Sequence, residues 1–251
     1  MGTGAGSPLP VYLWVMVVFE APPPSVEPTR RRIRVRLADQ VVADSTRALL
    51  YAGFGPGGSP TYYLPLEDVR PGVLVDETET GWSVVAGGRR AAGGARTSDE
   101  FPELKGHLTF SWETLDWWEE DEQVYIHARP TNHRVDALRS SRHIEVFING
   151  EKVADTIRPV ALFETHLPTR WYLPSADVRM DRLTASETIT RCPYKGTARY
   201  FSHRDLADAA WSYPDPIPEN PKIKDLICFF DERVDMVIDG EPVERPQTPW
   251  S

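Results

Sequence analysis

The stretch Cys192-Pro193-Tyr194-Lys195-Gly196, followed by Arg199 and Tyr200, puts a thiol, a phenol and an amine within a few residues. Pro193 restricts the backbone after the cysteine and Gly196 permits a turn or a close approach, so a rigid bend between two strands is predicted. On such a bend Lys195 could protonate or anchor an anionic substrate, or form an imine if burial lowers its pKa. Tyr194 could donate a proton or orient a substrate through its hydroxyl. The structural alternative is a β-turn with a snorkelling lysine and a cysteine that only packs.

Two further clusters have chemical potential. Ala209-Ala210-Trp211-Ser212-Tyr213-Pro214-Asp215-Pro216 combines an apolar wall with polar tips and a proline-held carboxylate, which suits a ligand pocket or a locked packing loop. In Phe163-Glu164-Thr165-His166, Glu164 and His166 fall on one face if the segment is a strand, forming a candidate acid/base pair near Arg170. Lys195, Tyr194, Glu164 and His166 are therefore the catalytic candidates. Cys192, Arg170, Arg199, Tyr200, Trp211, Tyr213 and Asp215 are the substrate-binding candidates. Asp177 and Arg179 read as a structural ion pair, and Arg47 and Arg158 as scaffold.

Other patterns point away from a site. His127, His133, His143 and Asp136 match no common zinc spacing and read as a hydrogen-bonded linker. Residues 53–58 fit G-x-G-x-x-G literally, but a proline interrupts them and a strand-like segment follows, so no dinucleotide site is predicted. No motif calls for a metal or cofactor, and none is expected.

The elements that would hold these residues come in two copies. Residues 35–47, VRLADQVVADSTR, match 146–158, VFINGEKVADTIR. TYYLPLEDVR from residue 61 matches RWYLPSADVR from residue 170, and ELKGHLTF from 103 matches KIKDLICF from 222. The Asn149-Gly150 pair between alternating strands signals a hairpin. Each copy reads as short strands between turns, with one short helical turn near Phe101–Leu104 and near Asn220–Lys224. TETGWSVVAGGRR (78–90) occupies the register of SETITRCPYKGTARY, and AAGGARTSDEFPEL that of the Trp211 segment. The first copy therefore lacks the Cys, Tyr, Lys and Trp. Residues shared by both copies read as scaffold, and residues confined to the second as site.

Composition narrows the class. With 251 residues, 41% hydrophobic and 26% charged, the chain is that of an ordinary globular protein. A net charge of −9 opposes binding to a phosphate backbone, so no nucleic-acid partner is expected. Two cysteines are too few for a disulfide framework and fit free thiols in a reducing compartment. The apolar run Val11 to Phe19 is too short to span a bilayer and reads as a buried strand. A cytoplasmic protein without membrane partners is expected.

The motifs EPTRRRIRV (27–35), TYYLP (61–65), His127 to Asp136, SSRHIEV (140–146), LFETHLPTRWYLPSADVRMD (162–181), TRCPYKGTARY and AAWSYPDP together resemble the tandem form of the DUF427 family, also called a nucleotidyltransferase-like domain. The resemblance implies two compact antiparallel β-sheet modules of the Mss4-like or β-tent type, without the zinc cysteines of that wider group. The implied organisation is an N-terminal segment 1–26, a first module 27–133, a second module 134–246 and a tail 247–251. The expected function is that of a small-molecule pocket protein. It would be a cofactor-independent enzyme acting on a carbonyl- or carboxylate-bearing metabolite, or a non-catalytic binding module. Nucleotidyl transfer, implied by the family label, lacks a visible paired acidic motif for Mg²⁺.

Overall fold

The computed structural model describes residues 22–53 and 59–248. The apolar run 11–19 and most of the glycine-rich stretch 53–58 lie outside them. The chain is mostly β-strand. The first module contains β1 Ser25–Pro28, β2 Ile33–Leu37, β3 Gln40–Ser45, β4 Leu49–Ala52, β5 Thr61–Pro65, β6 Leu74–Val75, β7 Gly81–Ala86, β8 Arg89–Arg96, β9 His107–Phe110, β10 Asp116–Glu119 and β11 Glu122–Val124. The second contains β12 Val135–Arg139, β13 Ile144–Ile148, β14 Glu151–Thr156, β15 Val160–Glu164, β16 Arg170–Leu173, β17 Leu183–Cys192, β18 Gly196–His203, β19 Leu206–Ser212, β20 Ile227–Phe229, β21 Asp235–Ile238 and β22 Glu241–Val243. The polar stretch 133–142 is not a bare linker, because β12 within it forms the edge of the second module's large sheet.

The two modules repeat one topology. A seven-stranded sheet runs β1-β4-β5-β9-β8-β7-β6 in the first and β12-β15-β16-β20-β19-β18-β17 in the second. A four-stranded sheet, β11-β10-β2-β3 and its counterpart β22-β21-β13-β14, packs against it. The alternation of buried and half-buried residues along β2 and β13 is the period-2 pattern of a strand with one face in a core. Asn149 and Gly150 take positive φ (49° and 79°), as the β13–β14 hairpin requires, and Ala38 and Asp39 do the same in the first module. The short helical turns are 3₁₀ turns at Pro102–Leu104 and Pro221–Ile223.

Each core lies where the small sheet meets the large one. Ile33, Val35, Leu64, Phe110 and Trp117 fill the first, and Ile144, Val146, Leu173, Phe229 and Met236 the second. Shared surface pairs brace both: Arg47 with Asp68 at 2.6 Å and Arg158 with Asp177 at 2.9 Å. Asp177 thus pairs with Arg158, while Arg179 turns to Asp181 at 2.8 Å, correcting the expected Asp177–Arg179 pair.

The modules differ on the outer face of the large sheet. In the second, Leu162, Tyr172, Trp211, Tyr213 and Cys228 form a further buried cluster. In the first, the corresponding buried cluster is Tyr51, Tyr63 and Leu104.

Candidate functional site

Strand register shows why only the second module has the CPYKG motif. Leu74 and Val75 pair with Val84 and Ser83, as Leu183 and Thr184 pair with His203 and Ser202. Gly81 pairs with Arg96, and its counterpart Tyr200 with Trp211. The first module therefore turns over within residues 76–80, whereas the second extends through residues 185–199. The motif rides on a hairpin arm that the first module lacks, so the copies differ by a whole element rather than by residues replaced within one. The sequence already marks this arm, since the offset between copies rises from 109 at residue 61 to 119 at residue 103.

The arm folds back over the outer face. Cys192 pairs with Gly196 across a turn in which the Lys195 N–H donates to the Cys192 carbonyl at 3.3 Å. The loop after β19 clamps that turn: Ile217 N–H donates to the Lys195 carbonyl at 3.2 Å, and buried Asn220 donates from Nδ2 to the Tyr194 carbonyl at 2.7 Å. Gly196 has φ +106°, and a Cβ there would lie 3.0 Å from the Asp215 carbonyl oxygen. Gly196→Ala is expected to destabilise the chain by about 2 kcal/mol through backbone strain and this clash, measurable by urea denaturation.

Under the arm lies a buried acid/base cluster. Lys195 Nζ donates to Glu164 Oε2, and Glu164 Oε1 meets His133 Nε2 at 3.1 Å. The Lys195 side chain is 12% exposed and that of Glu164 5%. Burial would raise the Glu164 carboxyl, but Lys195 and His133 hold it down at about 2. Burial disfavours the Lys195 ammonium, and Cys192 and Glu164 more than offset that, raising its pKa. Burial also keeps the Cys192 thiol protonated, so Glu164 is the working counter-charge. Lys195 is therefore a cation at neutral pH and not the depressed amine that imine formation needs.

A second charged group adjoins the first. Arg170 donates from both guanidinium nitrogens to Glu232, at 2.8 and 2.5 Å, and lies 3.6 Å from Asp231. Its guanidinium stands 5.7 Å over the Trp211 ring, and Trp211 Nε1 donates to Tyr172 Oη at 3.2 Å. Burial raises the Asp231 carboxyl to about 7 against the pull of Arg170. Arg170 lies within electrostatic reach of Lys195, and Cys228 within reach of both Asp231 and Lys195.

Strand pairing lets each of these residues be compared with its equivalent. Arg170 pairs with Leu162 as Thr61 pairs with Tyr51, and Cys228 pairs with Trp211 as Thr109 pairs with Arg96. Counting on from these rows, Asp231 matches Trp112 and Glu164 matches Gly53. In the first module these positions form a neutral network: Trp112 Nε1 donates to Thr61 Oγ1 at 2.8 Å, and Thr61 and Thr109 share a 2.9 Å bond. The fold closes there without charge.

The structure thus brings together Lys195, Glu164, Cys192, Arg170, Trp211 and Tyr213, and it separates others. His166 is exposed at φ +65°, beyond the end of β15, so it does not share a strand face with Glu164. His133, read in sequence as linker, takes that place. Arg199 and Asp215 are exposed. Tyr200 stacks on Phe230 and bonds Thr190 at the surface. The Tyr194 ring points into the seam between modules, stacked on His133 at 4.2 Å, and its hydroxyl is buried without a hydrogen bond. Sequence reasoning missed His133, Asp231 and Glu232. The copy alignment carried a signal for Asp231, since SWET after Phe110 faces FDER after Phe229 and sets Trp112 against Asp231, whereas Glu232 faces Glu113 and gives none.

Two clefts lie elsewhere. One of about 300 Å³ at the module junction is lined by Trp112, Tyr125 and Arg191 among others, and a shallow one of about 550 Å³ by Arg47, Leu66 and His107 among others. Neither includes Lys195, Glu164 or Trp211. His143, Glu145 and Asp155 also gather at the surface, where Lys152 bonds both carboxylates.

Among the described residues, no helix is long and apolar enough to cross a membrane. No curated protein matches the chain. The profile of a family described as "Domain of unknown function (DUF427)" matches residues 25–121 and 136–240, one span in each module. This chain belongs to the DUF427 family, of which it carries two tandem copies.

Proposed function

We propose that the second module is a small-molecule site, and that the chain is a cofactor-independent enzyme acting on a carbonyl- or carboxylate-bearing metabolite. The observation that carries this reading is the buried Lys195–Glu164–His133 cluster, whose Glu164 position is Gly53 in a first module that folds without it. A buried ion pair is a poor stabiliser compared with apolar packing. Its presence in one copy alone therefore argues for chemistry. Lys195 serves as proton donor or anchor, Glu164 sets its charge, and Trp211 and Tyr213 form the apolar wall. The Lys195–Glu164 contact latches the arm, so ligand entry requires the arm to lift.

The same residues would serve a non-catalytic binding module. Nucleotidyl transfer fits less well, because the adjacent carboxylates Asp231 and Glu232 both turn to Arg170 rather than presenting a cation site. A small sheet packed on a large one in each module supports an Mss4-like, β-tent classification. The unbridged Cys192 and Cys228 support a cytoplasmic location, and the net charge of −9 argues against a nucleic-acid partner. Lys195→Met separates the two leading readings once a turned-over compound is in hand. An enzyme loses turnover more than affinity, whereas a binder loses affinity and shows no turnover to lose.

A further inference from the structure

The cleft of about 300 Å³ at the module junction holds charges that nothing in the chain answers. Arg89 from the first module and Arg191 from the arm of the second line it together with Glu113 and Asp116. Among the described residues, no carboxylate lies within ion-pair distance of either arginine, and no cation within that distance of either acid. The walls between these charges are aromatic. The Trp112 ring stacks on Trp117 at 4.5 Å, and the Arg191 guanidinium stands 5.1 Å over the Tyr125 ring. Gln123 ties one acid to that ring: its Nε2 donates to Asp116 Oδ1 at 3.2 Å, and its Oε1 accepts from Tyr125 Oη at 3.0 Å.

The backbone is strained where it borders the cleft. Ile126 has φ +76°, and the His127 N–H donates across it to the Tyr125 carbonyl at 2.9 Å, a γ-turn that a β-branched residue adopts only at a cost. The turn lets Tyr125 and Ile126 both line the cleft, where a continued strand would send them to opposite faces. The second module shows that the fold does not demand this. Counting on from the Trp117–Val124 and Met236–Val243 pairs, Arg245 takes the place of Ile126, and strand register sets Asp235 in the place of Asp116. Arg245 bonds Asp235 at 2.7 Å, so that copy answers its own acid. In the first module an isoleucine leaves Asp116 without a cation, and the arm of the other copy adds Arg191 to the cleft.

We propose that this cleft binds a free α-amino acid with an apolar side chain, its carboxylate on Arg89 and Arg191, its ammonium on Glu113 and Asp116, and its side chain against Trp112 and Ile126. Charges of both signs beside an apolar wall suit a zwitterion, since a plain anion would face the two acids and a plain cation the two arginines. The volume is at the small end of ligand cavities, as such a molecule requires. The assignment stands whether or not the Lys195–Glu164 cluster binds a ligand of its own.

The test is an NMR titration of the full chain with L-phenylalanine, hydrocinnamate and phenethylamine, with the Trp112 and Trp211 indoles as reporters. Hydrocinnamate lacks the ammonium and phenethylamine the carboxylate. L-phenylalanine is expected to shift Trp112 and leave Trp211 in place, and each analogue to bind at least about tenfold more weakly. Arg191→Gln should weaken L-phenylalanine and hydrocinnamate by about tenfold and spare phenethylamine, while Glu113→Gln should weaken L-phenylalanine and phenethylamine and spare hydrocinnamate. Both residues are exposed, so neither substitution threatens the fold. No shift at Trp112, or either analogue binding as tightly as the amino acid, would overturn the inference. A shift at Trp211 alone would also overturn it and leave the reading of the second module intact.

Discussion

Asp231→Asn is expected to stabilise the chain at pH 8 and to leave its stability unchanged below about pH 4. The native carboxyl is raised by burial from an ordinary value of 3.8 to about 7. Between those values the native state holds a proton that the unfolded chain releases, so native stability falls as pH rises through that window and levels off above it. A shift of that size corresponds to ~4 kcal/mol at full ionisation. Asn keeps the volume and cannot ionise, so its advantage grows from pH 4 to 7 and then stays constant. Urea denaturation at pH 4, 6 and 8 would show it. A gain of the same size at all three values would mean that Asp231 is not the buried acid described here. The cost has a functional meaning, since a carboxyl that weakens the fold at neutral pH occupies a position filled by Trp112 in the other module.

Glu164→Gln should have the opposite effect. It leaves the Lys195 ammonium buried beside a neutral amide, and breaking one side of a buried pair costs about 3–5 kcal/mol. For a chain of this size that corresponds to a fall in Tm of roughly 10 °C. The double variant Glu164→Gln/Lys195→Met removes both charges and should recover most of the loss, a strongly non-additive result. If the single variant melts like the original protein, the arm is not latched by this pair. The low Glu164 value, about 2, sets the acid limit. The pair contributes fully above about pH 4.5, and its contribution is lost as pH falls toward 2.

Much of the fold was legible because its signals are local. Period-2 alternation at residues 33–37 and 144–148, the Asn149-Gly150 turn and the repeated V-A-D-[ST]-x-R frame depend on neighbours in sequence. Comparing the copies also singled out Lys195, which lies buried in contact with Glu164. What failed depended on sheet order. His133 lies 31 residues before Glu164 and meets it only because β12 runs beside β15. Asp231 meets Arg170 only because β20 pairs with β16. His166 looked like the partner of Glu164 because a strand was assumed to continue, whereas β15 ends at Glu164 and the chain turns at positive φ. The arm was misread as substituted residues, although the ten-residue jump in offset was visible. Tyr194 was placed in the site by its neighbours in sequence, but its ring faces the other module.

The central claim is that the outer face of the second module's large sheet is a ligand site and that of the first is scaffold. It is tested most directly by crystals of the full chain soaked in a mixture of small ketones and amides, with probe density compared at the two equivalent faces. The account predicts density beneath the hairpin arm among Lys195, Arg170 and Trp211, and none at the matching positions of Thr61 and Trp112. Probes that collect only at the Trp112–Tyr125–Arg191 cleft, or equally on both faces, would contradict it.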